Sequence, residues 1–181
     1  MFEKILVAVD GSERSDRALK TAASLAASQG AQLIMLHVLL RTTPIEVIRD
    51  IAEKHNFFDT IKADFENVQV VAPPVPAVAS SASGVIMIPS ELLSHVAECY
   101  LASAETIARD LGVIDVTSVI GDGQAGHEVL AWAEDKNADL IVIGSRGFGD
   151  VKCIFLGSVC HNVALECWVA WVCVGGGGGW V

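Results

Sequence analysis

The stretch KILVAVDGSERSDRALKTAASLAASQGAQLIMLHVL, residues 4–39, decides the fold. KILVAVD, from Lys4 to Asp10, has almost no polar alternation, as expected for a strand buried on both faces. After Gly11, Ser12 offers an N-cap, and Ala18, Leu19, Ala22, Ala23, Leu25 and Ala26 recur at helical spacing until Gly30 stops the run. AQLIMLHVL, from Ala31 to Leu39, reads as a second buried strand. Strand, helix and strand of this length predict a βαβ unit with a right-handed crossover.

Working outward, the alternation returns in the second half. A long amphipathic helix is expected over Glu91 to Gly112 and a strand over Val113 to Gly121. A helix over His127 to Asn137 and a strand in ADLIVIG come next, then a helix from about Ser158 and a last strand over Trp168 to Val174. Strands alternating with helices predict an open five-stranded parallel α/β sheet with helices on both faces, of the flavodoxin-like or Rossmann-like kind. The expected organisation is one domain over residues 1–174, with an insertion at about 41–90 and a flexible Gly-rich tail at 175–181. Pro44 to Glu66 can hold one or two helices, whereas the prolines at 73, 74 and 76 argue against a central strand in the rest of the insertion. We expect a surface excursion there, irregular in its second half.

Composition narrows the partners. Hydrophobic residues make up 52% of the 181 residues and charged ones 19%, so the chain should fold. A formal net charge of −10 without a Lys/Arg cluster disfavours nucleic acid and anionic lipid. No apolar run reaches the length of a membrane span and the N-terminus does not read as a signal peptide, so the cytoplasm is expected. Five cysteines without C-x-x-C spacing read as small buried hydrophobes, not as a disulfide framework or a zinc site. His37, His127 and His161 read as packed or solvent-facing, with no paired nucleophile.

Two glycine-rich segments compete as ligand loops. GDGQAG, Gly121 to Gly126, fits G-x-G-x-x-G and predicts NAD if it works as a dinucleotide turn. It comes late in the chain, however, and the next strand ends in Ile143-Gly144-Ser145 without the acidic ribose partner. GSRGFGDVKCIFLGSV, Gly144 to Val159, has no Walker lysine, because Lys152 precedes Cys153. It does place Gly144 and Gly147 at the carboxyl end of a buried strand and Gly157 and Ser158 at a helix N-terminus, an arrangement suited to phosphate. The alternative is that these glycines serve only tight turns and the helix start. Asp10, at the end of the first strand, can accept hydrogen bonds from hydroxyl or amino groups, or it can serve the turn.

The spacing G-x2-G-x9-G-S, together with ILVAVDGSERSDRAL and ADLIVIGSRG, resembles the universal stress protein family over residues 1 to about 39 and about 94–165. The resemblance implies an adenine nucleotide alpha hydrolase-like fold, ATP binding and a homodimer. It assigns Asp10 to the nucleoside and Val38 to the adenine pocket. Gly144, Gly147, Gly157, Ser158 and Val159 are assigned to ribose and phosphates, with Ile143 and Arg146 in the same motif. Mg2+ or Mn2+ can accompany the phosphates, although no dedicated carboxylate cluster is evident. The chain departs from the family in its long insertion and in Trp168 and Trp171, which make the last strand bulky. The expected function is a stress-response sensor or regulator that hydrolyses ATP slowly at most. The alternative is an interaction module of the same fold that binds no nucleotide.

Overall fold

The computed structural model describes residues 1–39, 41, 43–66, 68–71, 85–147 and 157–175. The opening stretch forms strand β1 (Lys4–Ala8), helix α1 (Glu13–Gln29) and strand β2 (Gln32–Val38). Ser12 caps α1 by accepting from the Ser15 amide at 3.2 Å, and Gly30 ends it in the left-handed region at φ 65°. The second half supplies α4 (Ser90–Asp110), β5 (Val116–Gly121), α5 (Ala125–Lys136), β6 (Leu140–Gly144), α6 (Ser158–Glu166) and β7 (Ala170–Val174). Expected and observed boundaries differ by up to three residues. Asp10 accordingly lies just beyond β1, in the turn to α1, and Trp168 precedes β7.

Among the described residues these strands form one parallel five-stranded sheet in the order β5-β2-β1-β6-β7. β1 is central, with Ile5 opposite both Leu33 and Leu140. The chain fills one side of β1 with β2 and β5, then the other with β6 and β7. The direction of winding therefore reverses between β1 and β6, where a crevice opens beyond their carboxyl ends.

Both faces of the sheet are covered, which is why its strands carry continuous apolar runs. On one face Ile5, Val7, Leu33 and Met35 pack with the alanine-rich side of α1 and with Leu92, Val96 and Tyr100 of α4. On the other, Leu6, Ile34 and Leu36 meet Val129 and Ala133 of α5 and Cys160 and Val163 of α6. Each fully buried Leu, Ile or Val contributes roughly 1.5–3 kcal/mol.

The region after β2 corrects the expectation of a surface excursion. Helices α2 (Ile45–Lys54) and α3 (Phe58–Glu66) bury Ile48, Ile51, Ala52 and Ile61 in the core on the α1–α4 face. Their apolar residues recur at helical spacing, so the excursion extends the core instead of riding over it. Beyond α3, β3 (Gln69–Val71) and β4 (Val85–Met87) form a separate antiparallel pair, outside the main sheet. The prolines at 73, 74 and 76, the nine residues between Gly147 and Gly157, and the tail beyond Gly175 lie outside the described residues. Among those described, no helix is long and apolar enough to cross a membrane.

Candidate functional site

The turn after β1 builds one wall of the site. Asp10 Oδ1 accepts from the Ser12 amide at 2.9 Å, and the Asp10 amide donates to Ser15 Oγ, also at 2.9 Å. The carboxylate thus closes a short turn with its own backbone, while Ser15 reaches back from the first turn of α1. Surrounding protein pushes the Asp10 carboxyl above the usual carboxylate range, against the lowering effect of its bonds to Ser12 and Ser15. Both readings of Asp10 therefore describe the same atom group: one oxygen serves the turn, and the side chain also borders open space.

That space is a cleft of about 610 Å³, partly continuous with solvent, at the carboxyl ends of β1, β2 and β6. Leu36 and Val38 project from one face of β2, Ile143 and Gly144 end β6, and Arg146 and Gly147 follow in the loop. Val159 closes the cleft from the first turn of α6. Asp10 and Arg146 are the charged groups among the described lining residues and have opposite sign; the rest of these residues are mostly aliphatic. A mostly apolar cleft with one carboxyl group, one guanidinium and a nearby helix N-terminus can hold a ring and position a polar tail.

Seven of the sequence-predicted residues meet here: Asp10, Val38, Ile143, Gly144, Arg146, Gly147 and Val159. Gly157 and Ser158 do not line the cleft. Gly157 is the N-cap residue of α6 and donates its amide to the Ser145 carbonyl at 2.8 Å. A Cβ added there would lie 3.1 Å from that carbonyl oxygen and 3.2 Å from Arg146 Cα, so glycine lets α6 start against the loop. At Gly147 a Cβ would come 2.5 Å from Asp10 Oδ2, so glycine there preserves the carboxylate's position. These two glycines have packing reasons as well as a place beside the cleft.

Sequence reasoning missed Ala8, Val9, Ser15, Leu36, Ala125 and Val129. Leu36 follows from Val38 by the two-residue period of a strand. Ala125 belongs to the GDGQAG segment, whose end enters the cleft from the carboxyl end of β5, and Val129 follows one helical turn later.

His37, next to Val38, faces the opposite side of the sheet. It is 1% exposed, and among the described residues neither ring nitrogen has a hydrogen-bond partner of good geometry. Burial pushes its pKa down to about 4, weakly opposed by the Val9 backbone. Tyr100 lies 5.8 Å from it, ring to ring, and donates to Asp16 Oδ1 at 3.1 Å. At the end of α2, Lys54 pairs with Asp16 at 2.6 Å and donates to the Gly11 carbonyl at 3.1 Å. His55 Nε2 reaches the same carbonyl at 3.3 Å. His37 is therefore a packed imidazole, remote from the cleft side of the sheet.

Among the described residues no three His, Cys, Asp or Glu side chains gather as a metal site. The sequence profile described as the universal stress protein family matches residues 1–44 and 59–175; the interval between them holds α2. The chain is 29% identical over 171 residues to universal stress protein YxiE of Bacillus subtilis (strain 168), covering 91% of this chain and 93% of that protein. In three dimensions it resembles a universal stress protein solved in complex with cAMP, with TM-score 0.57 and 20% identity, covering 96% of each chain. It also resembles the universal stress protein from Archaeoglobus fulgidus in complex with dAMP, with TM-score 0.50 and 21% identity over 95% of this chain and 97% of that one. The matched profile spans nearly all of the sheet and its helices, and the chain belongs to the universal stress protein family.

Proposed function

We propose that the cleft binds an adenine nucleotide, ATP in the first instance, and that the protein acts as a stress-response sensor or regulator. The observation that carries this reading is the meeting of Asp10 and Val38 with Ile143–Gly147 and Val159 at the point where the sheet reverses its winding. The cAMP and dAMP complexes of structurally similar universal stress proteins support it. In this reading the base lies between Val38 and the aliphatic wall, Asp10 accepts from the ribose hydroxyls, and the phosphates run toward Arg146 and the start of α6, where Gly157 and Ser158 stand. Mg2+ or Mn2+ would ride on the phosphates, since Asp10 is the only carboxylate among the described lining residues. Hydrolysis is slow at most in this reading, because among the described residues no histidine or second carboxylate lines the cleft to activate water.

The single-domain organisation, a cytoplasmic location and a homodimer complete the proposal. Among the described residues β7 pairs only with β6, and Val172 on β7 and Trp168 before it are exposed, which suits an edge covered by a second copy.

The test starts from protein purified without added nucleotide. Denaturation should release ATP, ADP or AMP into the supernatant, and calorimetric titration of the emptied protein should show heat with ATP. No released nucleotide and no heat at millimolar ATP would sink the reading and favour an interaction module. Ala125→Phe fills the cleft from the GDGQAG side and should lower ATP affinity at least about tenfold, or about 1.4 kcal/mol, with the fold retained.

A further inference from the structure

Behind the cleft, two cysteines far apart in the motif pattern are neighbours. Cys160, in the first turn of α6, and Cys173, on β7, have their Sγ atoms 3.0 Å apart. Cys160 Sγ also donates to the Gly144 carbonyl at 3.2 Å, and Gly144 lines the cleft. We propose that Cys160 and Cys173 are an oxidant-responsive dithiol, closing to an intramolecular disulfide that staples α6 to the edge strand directly behind the cleft.

The geometry needs little change. A disulfide bond is about 2.05 Å long, so the sulfurs must close by about 1 Å, within reach of side-chain rotation and a small shift of α6. The two sulfurs differ in access. Cys160 is 1% exposed, whereas Cys173 is half-buried. Burial pushes the Cys160 thiol up, and the adjoining Cys173 sulfur adds to the effect. Cys173 is therefore the sulfur that meets the oxidant, and Cys160 the one that resolves it.

With hydrogen peroxide the step balances as follows. The Cys173 sulfur attacks one peroxide oxygen; an S–O bond forms, the O–O bond breaks and water leaves, giving a sulfenic acid. The Cys160 sulfur then attacks the Cys173 sulfur; the S–S bond forms, the S–O bond breaks, and the departing hydroxide takes the Cys160 proton as a second water. Two thiols lose two electrons and two protons, and peroxide is reduced to two waters. The thiol hydrogen that Cys160 gives to Gly144 is consumed, so oxidation also removes a support of the cleft wall.

The test treats the whole folded chain with a small excess of hydrogen peroxide, then blocks the remaining thiols with N-ethylmaleimide under denaturing conditions. Of the five cysteines, three should still be labelled, and reduction should restore all five. Cleavage after Glu166, which separates the two cysteines in sequence, should leave the two fragments joined until reduction. Cys160→Ser, Cys160→Ala and Cys173→Ala should each abolish the joined product, while Cys167→Ser keeps it. The oxidised protein should melt at a higher temperature than the reduced one. Five labelled thiols after treatment, sulfinic acid in place of the bond, or a joined product that survives Cys173→Ala would overturn the proposal.

A titration of ATP into both forms reads the effect on the cleft, and this arm alone rests on the nucleotide reading. A change in Kd of at least threefold is expected. Equal affinities would overturn the link to the cleft and leave the disulfide standing. If neither form binds ATP, the nucleotide reading fails, and the thiol count still decides the dithiol.

Discussion

His37 and Val38 are consecutive on β2, yet they live in different surroundings. Val38 borders the open cleft on the α5–α6 face. His37 is sealed on the α1–α4 face beneath Tyr100, with both ring nitrogens unpartnered among the described residues. The period of two that separates them is a property of any strand, so the contrast comes from what covers each face. On the sealed side α2 and α3 add a further layer to the core. On the cleft side, the N-terminal ends of α5 and α6 border the open space through Ala125, Val129 and Val159.

This contrast can be broken hardest at Tyr100, which stands between His37 and His55 and anchors Asp16. Tyr100→Ala should cost roughly 3–5 kcal/mol in urea unfolding, because the buried face cannot refill the gap. A loss below about 1 kcal/mol would mean that the face is not sealed.

The next largest effect is a pH dependence. Unfolded, His37 takes up a proton below about 6.5, but folded it does so only near 4. Between these values the unfolded chain binds more protons, so stability falls as pH drops through the window, by about 3 kcal/mol in full. His37→Leu should flatten that part of the curve and, by removing two orphaned nitrogens, raise stability at neutral pH by about 1 kcal/mol. An unchanged slope in this variant would show that the imidazole has a partner or reaches water.

The smallest effect belongs to the open side. Val38→Ala should cost less than about 1 kcal/mol of stability, since part of the side chain faces the cleft, while weakening ATP about fivefold. Equal stability losses at Val38 and Tyr100 would erase the difference between the faces.

What the sequence discloses follows the same division. Strand-helix-strand order was legible in residues 4–39 because buried parallel strands must be apolar on both faces and α1 carries its own caps. Asp10, Val38 and the Gly144–Gly147 loop could be placed from strand ends and from the family's motif. Ser15 and Ala125 could not, since what brings them to the cleft is the packing of whole elements. Ser15 reads as an ordinary first-turn serine, and Ala125 sits in a segment whose glycines suggest a different cofactor. The Tyr100–Asp16 bond spans 84 residues, and no local pattern announces such a pairing. The burial of α2 and α3 was hidden for a similar reason: their apolar stripes are visible, but the face that receives them is not.

The contacts of α2 with the turn after β1 have a kinetic consequence. Lys54 and His55 hold the Gly11 carbonyl, and Lys54 holds Asp16, so the turn carrying Asp10 is gripped from outside the cleft. Local opening of that turn then requires α2 to let go first. Amide exchange at Ser12 and Ser15 should follow the undocking of α2 instead of the fraying of α1, and a helix that never touches the cleft would set how often its acidic wall gives way.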